Sequence, residues 1–194
     1  MARPRLVDDD AILDATRLVL AEVGPAKLTL AAVGARVGLA PPTLMQRFGS
    51  KRGLLLASAA RSTQLVLRAA ATTEAANTSP LATLRDFALK VVAQSEQLDL
   101  SDPEFREHAR AHAAAIVNTC ARFYRAAVTA GELREETDVP ALARHTLVCL
   151  NGAIQVWAVN GWGTLPAFLT EQLDLMLEPK IWAGGAAQPR DIRA

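Results

Sequence analysis

The sequence predicts an all-α protein in two parts: three short helices, then a larger bundle of longer ones. Three observations predict it. Runs rich in Ala, Leu, Arg and Glu, all favourable in helices, fill nearly the whole chain. No segment alternates apolar and polar residues cleanly enough for a strand, whereas apolar residues recur every three to four positions. Glycines, prolines and capping residues punctuate the chain at intervals that set helix lengths.

Element by element, the first helix is expected over 8–23, where Ile12, Ala15, Val19 and Val23 share a face and Asp8–Asp10 favour its positive end. Gly24-Pro25 ends it. The second is expected over 30–37, with Thr29 as N-cap and Gly38 as stop, and the third over 41–48, broken by Gly49-Ser50. Ser50 caps a fourth over 51–76. After the turn Asn77–Pro80, a fifth runs over 80–95. Beyond Asp99–Pro103 comes a long helix over 104–130, closed by Gly131. Two more follow, over 138–159 and, past Asn160-Gly161-Trp162-Gly163, over 165–178. The domains expected are 1–50 and 51–183, with 184–194 as a loose tail.

The chain of 194 residues is 51% hydrophobic and 21% charged, enough for a substantial core. No apolar run reaches the roughly 18 residues of a membrane span, and no signal-peptide pattern follows the basic start, so a cytoplasmic protein without membrane contact is expected. Cys120 and Cys149 lie far apart in helical runs and read as two buried thiols. The net charge is +1, but it is unevenly spread. Residues 1–61 hold nine Lys and Arg against five Asp and Glu, and the remainder twelve against fifteen. An anionic polymer would be drawn to the first third.

Helices of two or three turns are marginal alone, so those at 30–37 and 41–48 must pack on each other and on the first. Leu30, Val33, Val37, Leu39, Leu44 and Phe48 supply that core; Gly34 allows a neighbouring helix close, and Gly38 accepts a positive φ at the junction. Short helix, tight turn and short helix in a basic domain have the form of a helix-turn-helix, whose second helix enters a major groove. The pattern Ile12–Ala15, Leu20–Gly24, Leu28–Leu30, Val33–Leu39, Thr43-Leu44, Phe48–Lys51 and Leu54-Leu55 resembles the tetracycline-repressor-like (TetR-type) transcriptional regulators. The resemblance covers about the first quarter strongly, and the all-helical remainder fits in length and layout.

The resemblance implies a recognition helix at Pro41–Phe48. It implies DNA contacts from Thr29, Thr43, Gln46, Arg47 and Lys51, with Arg36 reaching phosphate or pairing with an acid. Gln can pair with adenine and Arg with guanine or phosphate; Lys at a helix start anchors phosphate. Pro42 could touch a thymine methyl, and Arg3 and Arg5 could form a basic arm. Two departures stand out. Met45 replaces a Tyr that commonly touches phosphate. Ala40-Pro41-Pro42 replaces a capped helix start, removing N–H donors.

In the larger domain, the helix at 138–159 is apolar around most of its circumference and needs cover on two sides. A homodimer is expected, with Leu147, Leu150 and Ile154 from this helix, and Phe168, Leu169, Leu173 and Met176 from the last, at the interface, as the family uses its final two helices. The resemblance also implies a small effector between the long helices, and apolar walls with sparse polar groups there suit a largely hydrophobic one. Candidates are Phe87, Val91, Phe105, His108, His112 and Ile116, together with Cys120, Phe123, Tyr124, Asn151 and Trp157. His108 and His112 lack a third ligand nearby, so neither metal nor cofactor is expected. The implied function is a ligand-responsive regulator, usually a repressor, that binds double-stranded DNA as a dimer on an inverted repeat. The alternatives are a protein-interaction module that has lost DNA binding and a helical-bundle enzyme, for which no catalytic spacing is seen.

Overall fold

The computed structural model describes residues 7–93, 100–178 and 181. The expected basic arm at Arg3 and Arg5, the last residues of the fifth helix as drawn from sequence, and the tail from Gly184 lie outside them. Among the described residues eight helices form: α1 Asp9–Lys27, α2 Leu30–Val37, α3 Pro41–Phe48, α4 Lys51–Ala76, α5 Pro80–Val92, α6 Pro103–Thr129, α7 Val139–Asn160 and α8 Leu165–Leu177. No named strand occurs among the described residues, which contain one isolated bridge, Leu133 to Ile181.

Helix ends follow from local chemistry. Asp8 Oδ1 accepts from the Ala11 N–H at 2.8 Å, Thr29 Oγ1 from Ala32 at 3.1 Å and Ser50 Oγ from Gly53 at 2.9 Å. Gly38 closes α2 in the left-handed region at φ 69°. The first helix departs from expectation. Gly24 takes φ 73°, kinking α1, and Pro25 then begins one further turn that reaches Lys27.

The chain divides into two compact units: residues 1–69 with 93–115, and 70–92 with 116–194. In the first, Ile12, Leu13, Ala15, Val19, Leu20, Leu28, Val33, Leu44 and Leu54 make a buried core, with Leu30, Val37, Leu39 and Phe48 packed half-buried against it. Gly34 is needed first for the turn. A Cβ there would lie 2.3 Å from the Leu39 carbonyl oxygen, while Leu44 Cδ1 of the neighbouring helix α3 would be 3.6 Å away. In the second unit α7 packs on α8, and α5 lies against both. Its core includes Phe87, Tyr124, Leu150, Leu169, Leu173 and Leu177. Phe87 and Phe123 meet edge to face at 5.5 Å.

Candidate nucleic-acid interface

The turn between α2 and α3 is built from backbone. The Leu39 N–H donates to the Gly34 carbonyl at 2.9 Å, and Thr43 N–H to Ala40 at 2.9 Å. Leu44 is fully buried, which anchors the inner face of α3 in the core. The outer face then follows from helical spacing: Pro41, Pro42, Met45 and Gln46 are all exposed, Met45 to 49%. Thr43 is half-buried. Ala40 provides no side-chain cap, Pro41 and Pro42 have no N–H, and the Thr43 N–H is already bonded. The start of α3 therefore has no backbone donor left for a phosphate in its first three positions.

The cations expected around this face are present, but each is held. Arg47 Nη1 donates to the Val7 carbonyl at 2.6 Å and its Nε lies 3.1 Å from Asp9 Oδ1. Arg36 pairs with Glu22, the acid-pairing option of the two foreseen. Lys51 Nζ donates to the Ala26 carbonyl at 3.1 Å, closing the last turn of α1. Thr29 is exposed and caps α2. Among the described residues no hydrogen bond engages the Gln46 amide. Sequence reasoning missed Asp9 and Glu22 as partners of these arginines. The run Asp8–Asp10 showed only as a helix-start signal, since a contact spanning some forty residues leaves no local trace.

Farther along the first unit, Arg52 at the start of α4 donates to Asp102 at 2.7 Å, pairs with Glu104 and lies over the Phe105 ring. Its hydrogen bonds hold the Asp102 carboxyl below its ordinary range. Arg61 of α4 is buried and bonds Asp14 at 2.6 Å, with Asp10 at 3.1 Å. These pairs tie α4 to α6 and to α1.

Comparison with known proteins gives this geometry its context. The family model described as "Bacterial regulatory proteins, tetR family" matches residues 12–58, and "Tetracyclin repressor-like, C-terminal domain" matches 90–167. The chain belongs to the TetR family. That family consists of DNA-binding transcriptional regulators and not of enzymes. No curated protein matched the chain. Among solved structures, a transcriptional regulator from Cytophaga hutchinsonii aligns with a TM-score of 0.69 at 16% identity, over 89% of this chain and 97% of that one. FadR from Bacillus subtilis, in complex with stearoyl-CoA, aligns at 0.63 and 18%, over 87% and 97%. SmeT, the repressor of the Stenotrophomonas maltophilia multidrug efflux pump SmeDEF, aligns at 0.62 and 24%, over 92% of each chain. At these identities the likeness is one of fold.

The residues expected at a TetR-type effector pocket divide between the units. Phe105, His108 and His112 fall in the first, where burial lowers the pKa of His112 and a backbone hydrogen bond at Ser62 partly opposes this; its buried Nδ1 has no hydrogen-bond partner among the described residues. Phe87, Val91, Ile116, Cys120, Phe123 and Tyr124 are core residues of the second. Tyr124 Oη bonds Thr146 Oγ1 at 2.7 Å, and burial pushes the Cys120 thiol up to about 12. Asn151 is instead exposed and bonds the Leu147 carbonyl of its own helix. Trp157 Nε1 donates to Gly163 at 3.2 Å and pins the α7–α8 turn.

The expected dimer residues separate by burial. Leu150, Leu169 and Leu173 are buried within the chain itself, so they have no surface for a partner. Leu147, Ile154, Phe168 and Met176 are half-buried. The outward face carries Val148 and Val156, exposed by 65% and 43%, beside a groove of about 310 Å³ that Gly152, Phe168 and Met176 also line. Helical periodicity shows α7 to be apolar around most of its circumference but not which side the rest of the chain covers. Cys149, expected to be buried, is half-buried on this groove. Among the described residues, no helix is long and apolar enough to cross a membrane.

Proposed function

We propose that this protein is a ligand-responsive repressor that binds an inverted-repeat operator as a homodimer. The observation that carries the reading is α3: its inner face is locked into the core by Leu44, while Pro42, Met45 and Gln46 project outward from a domain matching the family's DNA-binding module. Such a helix fits a major groove. Arg47, Lys51 and Arg36, with Thr29 at the start of α2, supply phosphate contacts, the two arginines exchanging Asp9 and Glu22 for DNA. In this reading Val148, Val156, Phe168 and Met176, which line one groove, meet their copies across a two-fold axis, and the inverted repeat presents its half-sites roughly 34–36 Å apart.

A hydrophobic effector is favoured by the buried apolar and aromatic residues of the second unit, Phe87, Val91, Phe123 and Tyr124 among them. The structural relatives FadR, in complex with stearoyl-CoA, and SmeT, in complex with triclosan, bind molecules that each carry a large apolar portion. The test is selection from random duplex DNA with purified protein, with Arg47→Ala and Lys51→Ala beside it. An enriched inverted repeat that both substitutions weaken is expected. No enrichment at modest salt overturns the reading.

A further inference from the structure

The outer face of α3 has an unusual balance for a surface that meets nucleic acid. Three of its exposed side chains, Pro41, Pro42 and Met45, are apolar. Pro42 and Met45 stand at i and i+3, with Gln46 at i+4, so they form one contiguous strip. The strip is not needed for folding, because Leu44 and Phe48 on the opposite face already join α3 to the core. The helix start has no phosphate-binding amide to offer, and Arg47 points back to Val7 and Asp9.

An apolar strip on a groove-reading helix has one apolar feature to meet on a base-pair edge, the C5-methyl group of thymine. Met suits this contact, being unbranched, polarizable and able to adapt to its neighbour. Gln46 beside it, unengaged within the described residues, carries the donor and acceptor that match the N6 and N7 of adenine. We propose that Met45 and Pro42 are specificity-determining residues that read thymine methyl groups, so that each half-site holds thymine under this strip, with an adenine in reach of Gln46. The inference rests on the DNA-binding reading above and names the bases it reads.

The test replaces thymidine by deoxyuridine, one position at a time, in the duplex selected by the full-length protein. Uracil keeps every hydrogen-bonding group of thymine and lacks only the methyl. Covering one methyl corresponds to about a fourfold change in affinity, so uracil at the contacted position in both half-sites weakens binding by roughly fifteenfold. Met45→Ala and Met45→Gln, the latter equal in length but polar, bring the thymine-to-uracil ratio at one position close to one. Pro42→Ala does so at its neighbour. If no sequence is enriched, the DNA-binding reading falls and this one with it. If an operator is enriched but uracil is tolerated everywhere, the methyl reading alone is overturned. The same follows if discrimination persists undiminished in the Met45 and Pro42 variants.

Discussion

At the scale of single residues, charge complementarity inside the domain decides what the α3 surface offers. Arg47 is held by Asp9 and the Val7 carbonyl, so it must leave a carboxylate before it meets a phosphate. Asp9 is 61% exposed, and a surface pair of this kind contributes at most about 1 kcal/mol to stability. Asp9→Asn should therefore leave folding nearly unchanged while freeing Arg47. The expected result is tighter DNA binding for Asp9→Asn, and for Arg47→Ala a plot of log affinity against log salt shallower by roughly one, measured by titration at several salt concentrations. An unchanged slope in Arg47→Ala would show that Arg47 contacts no phosphate. None of this was legible from sequence. The residue types at 36, 47 and 51 suggested DNA contacts, but their partners lie on another helix.

His112 provides a second residue-scale prediction. Burial favours its neutral form, so its pKa in the folded protein lies below the ordinary 6.5. The unfolded chain then binds the proton more tightly. Stability from this group is complete above about pH 6.5, declines as the pH drops below that value and is gone once the pH has fallen through the lowered folded value. Thermal denaturation of the wild type and His112→Asn between pH 7.5 and 5.5 should show a smaller acid loss in the variant.

At the scale of elements, the α2–turn–α3 unit rests on two small groups. Thr29 caps α2, and its replacement by Ala should destabilise the protein by about 1 kcal/mol. Gly34→Ala is more severe, since the new methyl would sit 2.3 Å from the Leu39 carbonyl oxygen, a backbone atom that cannot swing aside. A loss of roughly 1–3 kcal/mol is expected in urea unfolding. Gly34→Ala equal in stability to the wild type would mean that the turn relaxes. Most of this element was legible in advance: the Thr29 cap, the Gly38 stop and the α3 limits all follow from local rules. The Gly24 kink was half legible, because a Gly-Pro pair signals an end but not the extra turn that Lys51 then caps.

At the scale of the whole molecule, the pattern on α7 and α8 separates folding from assembly. Leu173 is wholly buried in its own protomer, so Leu173→Ala should cost about 2–5 kcal/mol of stability. Val148 and Val156 are exposed, so Val148→Asp with Val156→Asp should leave the protomer folded. Under the proposed dimer, light scattering of that double variant gives a monomer with unchanged helical content, and operator affinity falls steeply. A double variant that stays dimeric would move the interface elsewhere. Both faces of α7 look alike in sequence, and Leu150, Leu169 and Leu173, which its pattern and that of α8 offer to an interface, belong to the core.

The sequence by itself determined the all-α class, the limits of most helices and the short-helix, turn, short-helix unit. These depend on caps, glycines and apolar periodicity acting within a few residues of one another. The tertiary structure alone decided that Arg36 and Arg47 face Glu22 and Asp9, that Met45 joins Pro42 on an exposed strip, and which apolar face of α7 is left open. Each of these depends on what a residue meets after the chain has closed on itself, and such encounters join positions too far apart in sequence for any local signal to carry.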